Sequence, residues 1–146
     1  MSEYLSKPKQ IAHIGIAVRS INNVLPFYTQ ILGLQVTRRE LLERELVSIA
    51  FLPIGESYLE LMEPLSQKST IFQFIERYGE GVHHVALGVN QLSKRIQKCK
   101  ERHIPLVDDY PRKGAWDNYV AFIHPKAANG VLFEFCEGWT TTNGYV

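Results

Sequence analysis

Two similar eight-residue segments constrain the fold of this chain more than any other feature. IAHIGIAV spans residues 11–18 and VHHVALGV spans residues 82–89, and each has one histidine, His13 or His84, at the same place. Because alternate residues of a strand face opposite sides, each segment predicts a strand with large apolar residues on one face. The other face carries only the histidine, glycine and alanine. We expect these two small-residue faces to line one open cleft.

The repeat extends beyond these two strands. Phe51 in IAFLP and Phe122 in VAFIHP are 71 positions apart, as are the two histidines. Glu60 and Glu134, on the last predicted strand of each half, are 74 positions apart, which puts three extra residues into the last loop of the second half. Both halves read strand, helix, strand, strand, strand. The chain is therefore predicted to be an α+β protein of two repeated βαβββ modules.

Hydrophobic periodicity and turn residues predict the individual elements. The predicted strands are 11–18, 34–39, 46–52, 58–62, 82–89, 104–107, 119–123 and 131–136, and the predicted helices are 20–32, 70–78 and 91–102. Ser69 and Gly79 are expected to cap the middle helix, and Asn90 the last helix. Pro26 favours either a first helix that begins at an Asn23 cap or a distorted first turn.

Composition limits the domain count and the classes of partner. A chain of 146 residues with 45% hydrophobic content fits one domain, with module one at about 11–63, a joining helix at about 69–79 and module two at about 82–137. The net charge of +1 gives no reason to expect nucleic acid as a partner. The N-terminal MSEYLSKPKQ lacks the apolar run of a signal peptide, and no segment approaches the roughly 20 apolar residues that span a bilayer.

The two cysteines indicate a reducing compartment. Cys99 and Cys136 have neither a metal-binding spacing nor the pattern of a disulfide framework. Disulfides are rare in the cytosol, where thiols are kept reduced. We therefore expect two reduced thiols and a cytoplasmic protein.

Four residues at repeat-related positions form the candidate site: His13, Glu60, His84 and Glu134. A single histidine on a strand is more often a packed core residue, and a single strand glutamate is usually solvated. Four such residues at corresponding positions make coincidence much less plausible. Two imidazoles and two carboxylates are suitable ligands for a divalent first-row ion. We predict that they bind one ion, which could be zinc, cobalt, manganese or nickel.

The double repeat with these four residues resembles the pattern of the vicinal oxygen chelate, or glyoxalase, superfamily. Several motifs are similar to methylmalonyl-CoA epimerases: ELMEPL at 60–65, STIFQFIERYGEG at 69–81, the HH pair, and HPK followed by GVLFE. The resemblance covers about residues 11–136. It implies a cupped mixed sheet made from two βαβββ modules, with the metal in the cup, and a homodimer.

The resemblance also implies a reaction. A malonyl thioester would lose the proton between its two carbonyl carbons, and a metal ion would stabilise the enolate. Epimerisation needs a base on each face of that carbon, and Glu134 is the first candidate. Lys126, in the HPK loop, could bind a substrate carboxylate or phosphate, although a solvated loop lysine is equally plausible.

Two departures from the family concern the substrate site. Epimerases usually carry Pro-Glu-Gln-Gly or Pro-Glu-His-Gly where this chain has Glu-Arg-Glu-Leu at 43–46, and some supply the second base from the position of Ser48. Serine cannot serve as that base without help, so Glu45 becomes the substitute candidate, against the simpler interpretation that it is a surface charge. The family's Gly-Ala-His-Gly is here Gly-Ala-Trp-Asp at 114–117.

Three alternatives share parts of this pattern. Glyoxalase I has the same order of four ligands and would isomerise a glutathione hemithioacetal, so its partner would be a glutathione adduct rather than an acyl-CoA thioester. A ring-cleaving dioxygenase binds iron through two histidines and one carboxylate, and the fourth ligand, Glu60, argues against it. A metal-free binding or resistance protein would not need the four ligands.

Overall fold

The computed structural model describes residues 5–140 and 144–145 and divides into two compact units. The first unit is His13–His83, and the second unit combines the described parts of Met1–Ala12 and His84–Val146. The strands are β1 (Gln10–Ala17), β2 (Arg38–Leu42), β3 (Val47–Ile54), β4 (Ser57–Pro64), β5 (Gly81–Val89), β6 (Arg112–Lys113), β7 (Tyr119–Ile123), β8 (Phe133–Glu137), β9 (Trp139–Thr140) and β10 (Gly144–Tyr145). The α-helices are α1 (Ile21–Pro26), α2 (Thr70–Tyr78) and α3 (Leu92–Glu101), with a π-helix at Phe27–Ile31 and short 3₁₀ helices at Ala115–Asp117 and Pro125–Ala127.

In the first unit the strands follow the order β2-β3-β4-β1. The two pairs formed by β3 are antiparallel, and β1 pairs with β4 in parallel. One face of these strands packs on α1. Its core consists of buried apolar side chains, namely Val18, Ile21, Ala50, Leu52 and Leu61, with Ile16 packed against them. The large apolar residues of β1 therefore lie on the helix side, as the alternation in its sequence predicts.

The second unit repeats this arrangement with the order β5-β8-β7-β6. Here β5 pairs with β8 in parallel, and β7 pairs with β8 and β6 in antiparallel fashion. Helix α3 covers one face through Leu92 and Ile96, which pack with Ala121 of β7. Each half thus has the predicted sequence of strand, helix and three strands.

The pairing registers confirm the internal repeat. Glu60 lies opposite Phe51 and beside Gly15 in the first unit. Glu134 lies opposite Phe122 and beside Ala86 in the second unit. Because residues directly opposite each other share a face of a sheet, each glutamate lies on the small-residue face of its histidine-bearing strand. The spacing in the sequence predicted this placement.

Two predicted strands differ from the structure. The bounds predicted at 34–39 are wrong, since this strand, β2, is Arg38–Leu42 in the structure. Just before it, the N–H of residue 37 donates to Phe51 O at 3.0 Å. The strand predicted at 104–107 is also wrong. That segment has only an isolated bridge between Leu106 and Ile123, because Pro105 has no N–H to donate to a ladder. The strand that pairs with this edge of β7 is instead β6, which follows the segment in the chain.

The start of α1 also differs from the prediction. Ser20, rather than Asn23, is the N-cap, and its hydroxyl accepts a hydrogen bond from the Asn23 N–H at 3.3 Å. Pro26 is the last residue of α1 and leads into the π-helix, where Leu32 N–H bonds Phe27 O at 3.1 Å. Proline cannot donate the usual helical hydrogen bond, so the change of helix type at this residue has a local cause.

The cap of α3 comes from a remote strand. Gln91 precedes the helix in a left-handed conformation with φ of 57°, so the expectation of an Asn90 cap is wrong. Glu137, the last residue of β8, accepts the Leu92 N–H at 3.1 Å instead. A carboxylate at a helix N-terminus also interacts favourably with the helix dipole. Among the described residues, no helix is long and apolar enough to cross a membrane.

Helix α2 has the predicted bounds and caps. The hydroxyl of Ser69, which is 1% exposed, accepts the Ile71 N–H at 3.2 Å. Gly79 ends the helix with φ of 81°, a conformation that glycine adopts without a steric penalty. Both termini are therefore specified by their own residues.

We predict that Ser69→Ala lowers the free energy of unfolding by about 1 kcal/mol, because the Ile71 N–H loses its buried acceptor. Urea denaturation measures this change. The matched control is Gln73→Ala at an exposed position of α2, which should change the free energy by less than about 0.5 kcal/mol. Equal stability of the two variants would contradict the capping role of Ser69.

Candidate functional site

The first unit holds a buried histidine–glutamate pair. His13 on β1 and Glu60 on the adjacent strand β4 place Nε2 and Oε2 3.0 Å apart. Only 3% of His13 and 2% of Glu60 is exposed. Gly15 lies beside Glu60 in the parallel register, so no side chain occupies the space next to the carboxylate on that strand. The two strands thus bring the predicted pair together.

Aromatic side chains surround this pair. Phe51, which is fully buried, lies opposite Glu60 on β3, and its ring meets that of Tyr58 edge-on at 6.3 Å. Apolar walls exclude water and strengthen electrostatic interactions with the carboxylate. They also make an isolated charge there costly, so the carboxylate needs a polar or cationic partner.

The second unit holds the corresponding pair. His84 Nε2 on β5 lies 3.8 Å from Glu134 Oε1 on β8. His84 is 3% exposed and Glu134 is 7% exposed. The His84 ring packs edge-on against Phe122 at 5.4 Å. Glu134 Oε1 also accepts a hydrogen bond from the Cys136 thiol at 3.0 Å, a contact that the first unit does not repeat because Met62 occupies the matching position.

The donor atoms of each pair suit a divalent metal ion. Imidazole nitrogen and carboxylate oxygen bind first-row ions at about 2.0–2.2 Å, so two ligands at right angles around one ion lie about 3 Å apart. The pair in the first unit already has this separation, and the pair in the second unit is somewhat wider. Each unit therefore offers a buried set of atoms whose chemistry fits an ion such as zinc, cobalt, manganese or nickel.

The four candidate side chains are deeply buried. None of the four side chains is more than 7% exposed. The strand pattern correctly predicted small residues on this face, but it gave no account of Phe51 and Phe122, which share the face and are themselves buried. Large aromatic side chains from the neighbouring strands therefore share the face on which the glycine and alanine residues lie.

The position of the second base was expected near the turn between β2 and β3, at Glu45 or at the position of Ser48. Glu45 is half-buried in the turn at 43–46 between β2 and β3. Ser48 pairs with Glu63 on β4, whereas Glu60 pairs with Phe51, so Ser48 is on the opposite face of β3 from Glu60. A side chain at position 48 of this chain points away from the first His–Glu pair. Leu46 has φ of 54°, so the turn keeps a left-handed residue where the related turn has glycine.

Lys126 and His83 lie outside the two histidine–glutamate pairs. Lys126 is exposed in the 3₁₀ helix Pro125–Ala127, and its backbone N–H donates to His124 Nδ1 at 3.1 Å. Within the described residues, no hydrogen bond or ion pair joins its ammonium group to Glu134. The ring of His83 packs edge-on against that of Phe74, with the ring centroids 5.0 Å apart.

Sequence reasoning did not anticipate the burial of Asn118 or the contact of Cys136 with Glu134. Cys136 follows Glu134 by two positions, so strand alternation alone could have placed it on the same face. Asn118 is 1% exposed and directly precedes β7. It follows Trp116 and Asp117, which both have left-handed backbone conformations with φ of 61° and 57°. No spacing in the sequence signals that Asn118 is buried.

Two βαβββ halves that each bury one histidine and one glutamate define a protein of the glyoxalase fold class. The chain belongs to the Glyoxalase/Bleomycin resistance protein/Dioxygenase superfamily, whose family pattern matches residues 12–122. This confirms the predicted α+β fold class and the family resemblance. A likeness within such a broad superfamily does not by itself specify a reaction.

Individual relatives narrow the comparison. The chain is 43% identical to the Bacillus subtilis protein YqjC, covering 88% of this chain and 91% of the relative. It is 32% identical to the mitochondrial methylmalonyl-CoA epimerase of Mus musculus, covering 86% of this chain and 71% of the relative. A hypothetical protein of Bacillus halodurans C-125 superposes with a TM-score of 0.86 and 51% identity, over 90% of this chain and 95% of that one.

A relative with a bound substrate is also similar. A methylmalonyl-CoA epimerase in complex with methylmalonyl-CoA and NH4+ superposes with a TM-score of 0.85 at 31% identity. The superposition covers 90% of this chain and 95% of that structure. The protein is therefore related to epimerases of acyl-CoA thioesters.

We predict that Glu60→Gln and Glu134→Gln each weaken the binding of a divalent ion, because a neutral amide oxygen is a poorer ligand than a carboxylate. The loss should exceed the roughly 10- to 100-fold that removal of an outer-shell partner typically causes. Competition with a chromophoric chelator measures the affinity. Glu76→Gln, at an exposed position of α2, is the control and should bind metal like the unmodified protein. Unchanged affinity in Glu60→Gln or Glu134→Gln would remove that residue from the ligand set.

Proposed function

We propose that this protein is a metal-dependent isomerase that epimerises methylmalonyl-CoA or a closely similar malonyl thioester. The observation that carries the proposal is the buried histidine–glutamate pair in each repeat, His13 with Glu60 and His84 with Glu134. In the proposal all four side chains hold one divalent ion. The similarity to methylmalonyl-CoA epimerases supports the choice of substrate.

A divalent ion bound by these residues would supply a positive charge that stabilises the negative charge developing on the substrate oxygens. The chain itself must remove a proton from the carbon between the carboxylate and the thioester and return one on the other face. Phe51 lies opposite Glu60 and Phe122 lies opposite Glu134, and in the proposal these apolar side chains would limit the access of water to the reacting carbon.

Glu134 is the proposed base on one face. It is the most exposed of the four candidate ligands, and its oxygen lies 3.8 Å from His84 Nε2, against 3.0 Å in the other pair. A carboxylate held less closely by its histidine can rotate one oxygen toward a substrate proton. The thiol of Cys136 donates to Oε1 at 3.0 Å and so helps to hold that oxygen in place.

Glu45 is the proposed base on the other face, and Lys126 is the proposed contact for a substrate carboxylate or phosphate. Glu45 is supported by its carboxylate, its partial burial and its place in the turn that corresponds to the family's Pro-Glu-Gln-Gly or Pro-Glu-His-Gly. The exposed ammonium group of Lys126 suits an anionic group of coenzyme A at the protein surface.

The proposal includes a cytoplasmic homodimer. Cys99 and Cys136 are reduced thiols, and burial raises the pKa of the Cys99 thiol, which disfavours its reactive thiolate. The π-helix of the first unit exposes Phe27 by 53% and Ile31 by 72%, and exposed apolar side chains of this size are frequent at subunit interfaces. Light scattering at micromolar concentration tests the dimer, and a monomer would contradict it.

We predict that the metal-loaded protein catalyses deuterium wash-in from D2O at the α-carbon of methylmalonyl-CoA together with epimerisation. Glu134→Gln should lower epimerisation, and exchange of the α-proton that faces Glu134, by at least about 100-fold, because general-base catalysis typically contributes 10²- to 10⁴-fold. The fall must exceed the loss of bound metal measured on the same sample. Mass spectrometry follows exchange, and a coupled chiral assay follows epimerisation.

Glu45→Gln separates the two bases. If Glu45 is the second base, this variant loses epimerisation while exchange on the Glu134 face continues. Glu76→Gln serves as the control for both rates. An unmodified, metal-loaded protein that performs neither reaction would overturn the epimerase proposal, and isomerisation of a glutathione hemithioacetal, as in glyoxalase I, is then the next assay because it uses the same four ligands.

A further inference from the structure

A second glutamate follows each candidate ligand glutamate by three residues. The last strand of the first unit contains ELME at 60–63, and that of the second unit contains EFCE at 134–137. Side chains three residues apart on a strand face opposite sides of the sheet. Leu61 and Phe135, each two residues before the second glutamate, pack in the cores under α1 and α3. The second glutamate of each motif therefore lies on the helix side of the sheet, away from the histidine–glutamate pair.

Each of these second glutamates accepts a hydrogen bond from the first residue of a helix. Glu63 Oε1 accepts the Ile21 N–H at 2.7 Å, at the start of α1. Glu137 Oε1 accepts the Leu92 N–H at 3.1 Å, at the start of α3. The first N–H groups of a helix have no partner within it, and the helix dipole favours a negative charge there. The same contact thus joins the last strand to a helix in both units.

The two contacts correspond to each other in the internal repeat. Ile21 and Leu92 are 71 positions apart, which is the separation of the two site histidines. Glu63 and Glu137 are 74 positions apart, which is the separation of the two candidate ligand glutamates. The local caps, in contrast, are not repeated, because Ser20 caps α1 with its side chain and the residue before α3 makes no side-chain cap bond. The strand-to-helix contact therefore points to a requirement that both units share.

In the second unit the contact connects the two strands that carry the histidine–glutamate pair. Strand β5 carries His84 and ends at Val89, and Glu137 lies beside Val89 in the parallel register of β8. Leu92 follows Val89 by three residues, so its bond to Glu137 fixes the end of β5 to β8 on the helix side. At about 3.3 Å per residue, the Cα of Glu137 lies about 10 Å along β8 from that of Glu134.

The first unit is connected in the same way. Strand β1 carries His13, and its parallel pairing with β4 puts Gly15 beside Glu60. Only three residues separate β1 from α1, so the bond from Ile21 to Glu63 fixes the end of β1 to β4. A shift of one residue in this register would turn the side chain of Glu60 away from the face that His13 occupies. The contact therefore opposes the movement that would separate the pair.

We propose that Glu63 and Glu137 are positioning residues for the candidate metal site. Each holds the strand of one ligand glutamate in the register that places its carboxylate beside the histidine of the same unit. They act from the opposite face of the sheet. The inference rests on the proposed function in one respect, that the two pairs bind an ion. Because each contact lies within one unit, Glu63 acts on the pair of the first unit and Glu137 acts on the pair of the second.

The first test removes each acceptor separately and observes the histidines by NMR at fixed pH without added metal. Nitrogen chemical shifts of an imidazole ring report the hydrogen bonds that the ring makes. Glu63→Met, which keeps the length of the side chain and removes its oxygens, should shift the His13 signals and leave the His84 signals unchanged. Glu137→Met should do the reverse. Glu63→Gln and Glu137→Gln keep an acceptor oxygen and should retain the signals of the unmodified protein.

The second test measures the affinity for Co²⁺ by competition with a chromophoric chelator. Glu63→Met and Glu137→Met should each weaken binding by about 10- to 100-fold, which is typical for loss of a group that orients metal ligands. The two Gln variants should bind Co²⁺ like the unmodified protein. Glu76→Met, at an exposed position of α2, is the matched control and should change neither the affinity nor the imidazole signals.

The outcomes separate this inference from the proposed function. If the unmodified protein binds no divalent ion, the proposed function fails, and the imidazole signals alone decide whether the two glutamates position the pairs. Unchanged signals for the histidine of the same unit, or equal changes at both histidines in each Met variant, would overturn the inference. Unchanged Co²⁺ affinity in both Met variants would also overturn it. If a Met variant does not fold, the Asp variant at that position replaces it, and the same unit-selective shift is expected because the shorter side chain cannot reach the helix without moving the strand.

Discussion

The burial of one carboxylate in each repeat is the constraint on which the rest of this structure depends. An ionised carboxylate removed from water loses several kcal/mol of hydration free energy unless a charged or hydrogen-bonding partner replaces the water. Glu60 has His13 at 3.0 Å, and Glu134 has His84 at 3.8 Å together with the Cys136 thiol. Each glutamate therefore requires that its strand pairs in the register that puts the carboxylate beside a histidine and a small residue. The repeated pairing of the strands satisfies this requirement twice.

The two halves also differ in ways that suit different tasks. The pair in the first unit is close and nearly inaccessible, as expected for residues that only hold an ion. The pair in the second unit is wider, and Glu134 has the additional thiol contact at Cys136. The two halves thus share a buried histidine–glutamate pair and differ in what surrounds the glutamate.

Much of the site could be predicted because it depends on alternation along strands and on equal spacing between repeats. His13, Glu60, His84 and Glu134 were all placed on the correct faces in this way. Features that depend on remote contacts could not be predicted. The cap of α3 comes from Glu137 on β8, and no local pattern distinguishes this from an Asn90 cap. Phe51 and Phe122, which share a face with the two glutamates, come from other strands, so the histidine segments alone gave no sign of them.

The central proposal is that His13, Glu60, His84 and Glu134 hold one divalent ion, and metal stoichiometry tests it most directly. Elemental analysis of the metal-loaded protein should give one divalent ion per chain. His13→Ala and His84→Ala should each reduce this to nearly zero, because each removes a ligand of the same ion, while His103→Asn at an exposed position should retain the full content. Two ions per chain, or a variant that keeps its full content after loss of His13 or His84, would contradict the account.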